Sequence, residues 1–291
     1  MKRTLLLFLI LPLILTGCKT KESTAQIATT TQPVYEFTTA LCAGTGLRVC
    51  QLVTENVSCL HDYTLQVSQM RAIEKAEVIV ISGAGLEDFL IDSINYSTTQ
   101  IDASYGIETF HCEEHNHEHT DHDHFHEIDP HIWLSPTNAM IMAENICNGL
   151  KKQYPEHSSV FDYNLSELLE QLEKLQAYGN QTLSQLQCRE LITFHDGFAY
   201  FADAFDLAIL KAVEEESGSE ASASEIVALV NLVYEYQLPA IFTESNGNTS
   251  AATIIAAETG IPIFQLDMAL SGNSYFETMY CNINTIKEAM G

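Results

Sequence analysis

One long helical stretch, about Val160–Leu186, divides this chain and limits what it can fold into. Leu165, Leu168, Leu169, Leu172 and Leu175 keep a single apolar stripe at helical spacing, Pro155 stands before the run, and no proline interrupts it. Such a stretch supports roughly 25 residues of unbroken helix, about 37 Å at 1.5 Å per residue. On both sides of it, strand-like runs alternate with helical ones. Before it, strands are expected at Ile27–Thr31, Leu47–Val53, Glu77–Ser82 and Gln100–Ala103. Helices are expected at Val34–Ala43 and Val67–Lys75, with another entered through Gly83 and Gly85 and running to Leu90, and a fourth over Asn138–Leu150. After it come strands at Leu191–Phe194, Leu207–Val213, Pro239–Thr243 and Pro262–Leu266, and helices at Phe198–Phe205, Glu225–Tyr236, Ala251–Glu258 and Glu277–Met290. This order builds parallel sheets flanked by helices. The fold class expected is α/β: two parallel-sheet lobes joined by a long backbone helix, in preference to one larger doubly wound domain.

The N-terminus carries a different signal. Lys2 and Arg3 precede an apolar run of 11 residues, Leu5–Leu15, too short to span a bilayer comfortably, and the run ends in Leu15-Thr16-Gly17-Cys18. Small residues before a Cys at this place resemble a bacterial lipoprotein signal, which implies cleavage before Cys18 and lipidation of its thiol. The expected organisation is a signal peptide over 1–17, a lipidated tether over 18–26, a first α/β lobe over 27–155, a linking helix over 156–188 and a second α/β lobe over 189–291. Seven cysteines remain besides Cys18, an odd number, so at least one thiol is left unpaired.

Charge narrows the partners. The 291 residues carry 13 Lys and Arg against 39 Asp and Glu, a formal net charge of −26, which argues against nucleic acid and favours cations. Seven of the 11 histidines fall between His111 and His126. These seven (His111, His115, His117, His119, His122, His124 and His126) alternate with acids in a segment, 111–127, that has too few apolar residues to fold by burial. Pairs spaced i, i+2 can chelate metal weakly from such a loop.

Four other stretches carry chemistry. His61 follows the strand Leu47–Val53, His131 lies in Asp129-Pro130-His131-Ile132-Trp133-Leu134, His195 directly follows a strand in Thr193-Phe194-His195-Asp196-Gly197, and Asp267 ends the strand Pro262–Leu266. In open α/β sheets, ligands bind beyond the carboxyl ends of strands. Two of the four positions belong to each lobe, so they can converge in a cleft between lobes. Three neutral imidazoles and one carboxylate form a four-coordinate set suited to Zn²⁺. Glu244 and Asp129 are candidates to accept the second ring N–H of a metal-bound histidine. Asp62 and Asp196 read equally as helix caps.

Taken in order, His61-Asp62-Tyr63, Val67–Gly85, Asp129–Leu134, Thr193–Phe201 and Leu266-Asp267 resemble the metal-binding receptors of ABC transporters. The nearest branch is that of the zinc-uptake receptors (ZnuA-like, cluster A-I). The resemblance covers nearly the whole chain after Cys18. It implies two α/β lobes on a backbone helix, metal ligation by His61, His131, His195 and Asp267, and a His-rich loop before the Asp129-Pro130-His131 motif. It further implies a cognate ABC permease as partner, a membrane attachment through Cys18, a monomer, and transport in place of catalysis. His195 stands where a manganese-preferring branch has Glu, which favours zinc. The sequence departs from the family pattern at Leu60, where some zinc receptors place an acid. It also lacks a proline in Leu65–Ser68 and in the acid-rich Glu214–Ser224. The competing readings are a manganese or broad-specificity receptor, a surface metal-buffering or adhesin protein, and an exported zinc hydrolase. The chain contains neither His-Glu-x-x-His nor Gly-x-Ser-x-Gly.

Overall fold

Short apolar runs between turns become parallel strands here because helices cover both of their faces. The computed structural model describes residues 25–55, 57, 60, 63–90, 98–111, 128–213, 221–245 and 247–291. Cys18, His61, Asp62, the histidines from His115 to His126, and Glu214–Glu220 lie outside them. In the first lobe β1 (Ile27–Thr29), β2 (Val49–Gln51), β3 (Val78–Ile81) and β4 (Thr99–Asp102) form a parallel sheet ordered β2-β1-β3-β4. The second lobe repeats that order. There β5 (Glu190–Thr193), β6 (Ala208–Ala212), β7 (Ile241–Glu244) and β8 (Ile263–Leu266) run β6-β5-β7-β8, again all parallel. The Val-Ile-Val-Ile of β3 is buried at every position, whereas edge strand β4 buries only Ile101.

The helices are α1 (Gln32–Leu41), α2 (Val67–Lys75), α3 (Pro136–Gln153), α4 (Ser158–Leu183), α5 (Ala199–Ala204), α6 (Ala223–Tyr236), α7 (Ser250–Thr259) and α8 (Tyr275–Met290). The long helix is α4, 26 residues, and its buried seam is Phe161, Leu168, Leu172, Leu175, Gly179 and Leu183. Leu165 and Leu169 of the expected stripe only flank that seam, half-buried. One continuous apolar core runs from Ile27 through α1, α3, α4 and α8 to Met290, touching both sheets. Two smaller clusters cover the outer faces. One gathers Ala28, Ile79 and Ile81 over Ile73 of α2; the other gathers Ile192 and Ile241 under Leu229, Val233 and Ile255 of α6 and α7. Alternate residues of each central strand thus feed opposite layers. Among the described residues no helix is long and apolar enough to cross a membrane, and Cys42, Cys50, Cys147, Cys188 and Cys281 are free thiols.

One expected helix is corrected. After β3 the chain makes only a 3₁₀ turn at Asp88–Leu90, because Gly83, Ala84 and Gly85 all adopt positive φ, which no α-helix accepts. What holds this turn is Glu87, buried at the ends of β1 and β3. Its carboxylate accepts the Thr30 hydroxyl at 2.6 Å and the backbone N–H groups of Ser82 and Gly83 at 2.7 and 2.9 Å. Both sheets reverse direction between their two central strands, the place where open α/β sheets leave a crevice. In the first sheet, Glu87 fills that place.

Burial pushes the Glu87 carboxyl up to about 7, against the lowering effect of its three donors. The folded chain therefore keeps a proton that the unfolded chain releases near pH 4.5. This contribution to stability is full below pH 4.5 and is lost as the pH rises to about 7, at up to roughly 1.4 kcal/mol per pH unit. Denaturant melts of the wild-type chain and Glu87→Gln at pH 4.5 and pH 7.5 should show the wild-type advantage shrinking with pH. A constant difference would contradict it.

Candidate metal centre

The equivalent crevice of the second sheet, between β5 and β7, holds His195 and Glu244. His195 lies two residues beyond β5 and Glu244 is the last residue of β7. Their side chains are 5% and 7% exposed, and His195 Nδ1 stands 3.7 Å from Glu244 Oε2. A carboxylate at that distance stabilises positive charge on the ring or on anything bound to it.

His131 reaches the same place from the first lobe. It begins the 3₁₀ turn Ile132–Leu134 that leads into α3. Asp129 holds it twice: its Oδ1 accepts the His131 backbone N–H at 2.9 Å and Nδ1 at 2.8 Å. A carboxylate oxygen only accepts, so Nδ1 is the donor in this contact and Nε2 is the ring atom left to meet another group. The His131 and His195 rings meet edge to face, with centroids 5.2 Å apart. Gly197 permits that approach. A Cβ there would lie 2.6 Å from Met268 Cε, 2.8 Å from His131 Nδ1 and 2.8 Å from His195 Cδ2.

Asp267 follows β8 and is half-buried. Its Oδ1 accepts the Ala269 N–H at 2.8 Å, and Asn282 of α8 grips its backbone, accepting its N–H at 3.0 Å and donating to its carbonyl at 2.7 Å. The residues beside His61 are anchored. Leu60 is fully buried, and Tyr63 donates its hydroxyl to Glu55 and packs its ring against Phe89. Among the described residues no three of His, Cys, Asp and Glu are gathered so as to hold a metal. The two imidazoles of His131 and His195 are brought together; the full four-ligand set is not a group of the described residues.

Sequence reasoning missed three supports. Trp133, fully buried, donates Nε1 to the Met268 carbonyl at 2.7 Å, which ties the His131 segment to the Asp267 segment. Tyr200 of α5 donates to the Asp129 carbonyl and accepts the Phe110 N–H, both at 2.9 Å. It thereby holds both ends of the His-rich stretch, where His111 and Ile128 form an antiparallel bridge. Gly197 is the third. The spacing Thr193-Phe194-His195-Asp196-Gly197 contained that glycine, but only the facing rings reveal why it is needed. The N-cap position of α5 is Phe198, two residues beyond Asp196.

Comparison with known proteins adds a family context. The family described as zinc-uptake complex component A, periplasmic (ZnuA), matches residues 27–289. The zinc-binding lipoprotein AdcA of Streptococcus pneumoniae is 27% identical over 305 residues, covering 99% of this chain and 60% of its own. The chain thus spans about 60% of the length of that curated relative. A crystal structure of ZnuA superposes with a TM-score of 0.81 at 29% identity, over 92% of this chain and 100% of the other. The Zn(II)-bound ZnuA-like domain of Streptococcus pneumoniae AdcA superposes with a TM-score of 0.74 at 25% identity, over 91% of this chain and 98% of that domain.

The Asp129 contact makes a direct prediction about His131. Replacing Asp129 with Asn should lower the share of the Nδ1–H tautomer of His131, read from ring ¹⁵N chemical shifts. An unchanged tautomer balance would contradict the assignment.

Proposed function

The chain belongs to the family of periplasmic zinc-uptake complex component A proteins, and on that footing we propose that it is an extracytoplasmic receptor that captures Zn²⁺ and delivers it to the permease of an ABC transporter. The observation that carries this reading is the buried meeting of His131 and His195, one from each lobe, with Asp129 and Glu244 beside them. Zinc accepts neutral imidazole and carboxylate in a tetrahedral set. In the metal-loaded chain the ligands are His131, His195, His61 and Asp267. Asp129 and Glu244 sit behind the imidazoles, where carboxylates orient rings and raise their basicity. Four protein ligands leave no position for a substrate water, so the chain carries the ion and does not catalyse.

The remaining parts of the reading concern delivery. Cys18 bears a lipid that attaches the receptor to the membrane, with 18–26 as its tether. The stretch 111–127, closed at its foot by Tyr200, offers weaker zinc positions near the tight one. The surplus of acids over bases raises the local concentration of cations. The receptor acts as a monomer facing its permease and has no nucleic-acid partner.

Calorimetric titration with zinc tests the reading. One tight equivalent is expected, weakened at least ~100-fold by His131→Ala or His195→Ala. Deleting residues 112–127 should leave the tight equivalent and remove weaker ones. Affinity should fall from pH 8 to pH 5 as protons compete for the imidazoles. Unchanged affinity in both alanine variants would refute the site.

A further inference from the structure

The last helix of the second lobe begins inside the first. Ser274, at the N-cap of α8, makes no capping bond to its own helix. Glu36 of α1 caps it instead. The Glu36 carboxylate accepts the Tyr275 backbone N–H at 2.7 Å and the Ser274 hydroxyl at 2.8 Å, and Gln32 Nε2 donates to it at 3.1 Å. A carboxylate suits that end, where unpaired N–H groups concentrate partial positive charge. Tyr275 is wholly buried; its ring packs edge-on against Phe37 at 5.0 Å and its hydroxyl donates to the Trp133 carbonyl at 2.9 Å.

The stretch between Asp267 and α8 is held the same way. Its carbonyls at Met268 and Leu270 accept the Trp133 indole N–H and the Gln32 backbone N–H, at 2.7 and 2.9 Å. Val57 N–H donates to Ser271 Oγ at 3.3 Å. Every one of these partners lies in the first lobe. About two turns further along, Asn282 of α8 grips Asp267 through both backbone groups.

We propose that Glu36 is a positioning residue for the metal site: by clasping α8 to the first lobe, it holds Asp267 in place relative to His131. The stretch that follows Asp267 belongs to the second lobe by sequence and is attached to the first. This rests on the four-ligand reading above and goes beyond it by naming what fixes its carboxylate. Removing the clasp loosens the α8 end, and Asn282 passes that freedom to Asp267. The metal then leaves faster, because a loosened Asp267 holds it less firmly.

The test is a double-mutant cycle on the full chain, with zinc release followed by chelator chase. Glu36→Ala should speed release about tenfold, and should add nothing in a chain that already carries Asp267→Ala. Glu36→Gln, which keeps one acceptor oxygen, should restore part of the loss, and it takes the alanine's place in the cycle if that variant does not fold. Equal acceleration with and without Asp267 would overturn the proposal, because Glu36 would then act on general stability. So would release unchanged by either Glu36 variant. If wild type lacks a tight zinc equivalent, or Asp267→Ala releases zinc no faster than wild type, the four-ligand reading fails instead and the clasp falls with it.

Discussion

The indole of Trp133 joins two segments that the chain keeps 135 residues apart. It is fully buried, so its N–H needs an acceptor, and a buried donor left unpaired costs about 1–3 kcal/mol. The acceptor is the Met268 carbonyl, one residue beyond Asp267. The Trp133 carbonyl in turn takes the Tyr275 hydroxyl. Through this one side chain, the stretch that presents His131 is registered against the stretch that presents Asp267. The architecture around it, two sheets on a shared core of α1, α3, α4 and α8, keeps that junction dry enough for the bonds to matter.

The two sheets share a strand order and put different chemistry at their equivalent crevices. In the first, Glu87 accepts three hydrogen bonds and closes the space with a carboxyl held partly protonated by burial. In the second, His195 and Glu244 leave the space to an imidazole facing the other lobe. A buried acid without a cation makes a rigid floor; a buried imidazole beside an acid makes a place for a cation. The asymmetry puts a pair of imidazoles at the second crevice, and Gly197 lets His131 reach it.

Much of this was legible in the sequence where the cause is local. Spacing placed α2 at Val67–Lys75 residue for residue and the apolar runs found every strand of the described residues, because both leave marks within a few residues. The helix expected after Gly83 failed because three successive positive-φ residues break it, and Ala84 among them gives no sign of that. Glycine at Gly85 suggested a turn, but the acid that organises the turn looked like any other. The pairing of His131 with His195 was legible as two strand-end and motif positions, and in chain order as a resemblance. Trp133, Tyr200 and Glu36 were not legible. Each bonds a backbone group 71 to 239 residues away, and a carbonyl or N–H carries no residue identity to match. Such links exist only once the core has folded.

Zinc K-edge X-ray absorption on the chain loaded with one equivalent of Zn²⁺ tests the central claim most directly. The expected spectrum is a four-coordinate shell of three imidazole nitrogens at about 2.0–2.1 Å and one carboxylate oxygen at about 2.0–2.2 Å. His195→Ala should remove one nitrogen from that shell. A six-oxygen shell, a sulfur at about 2.3 Å, or a spectrum indifferent to His195 would contradict it.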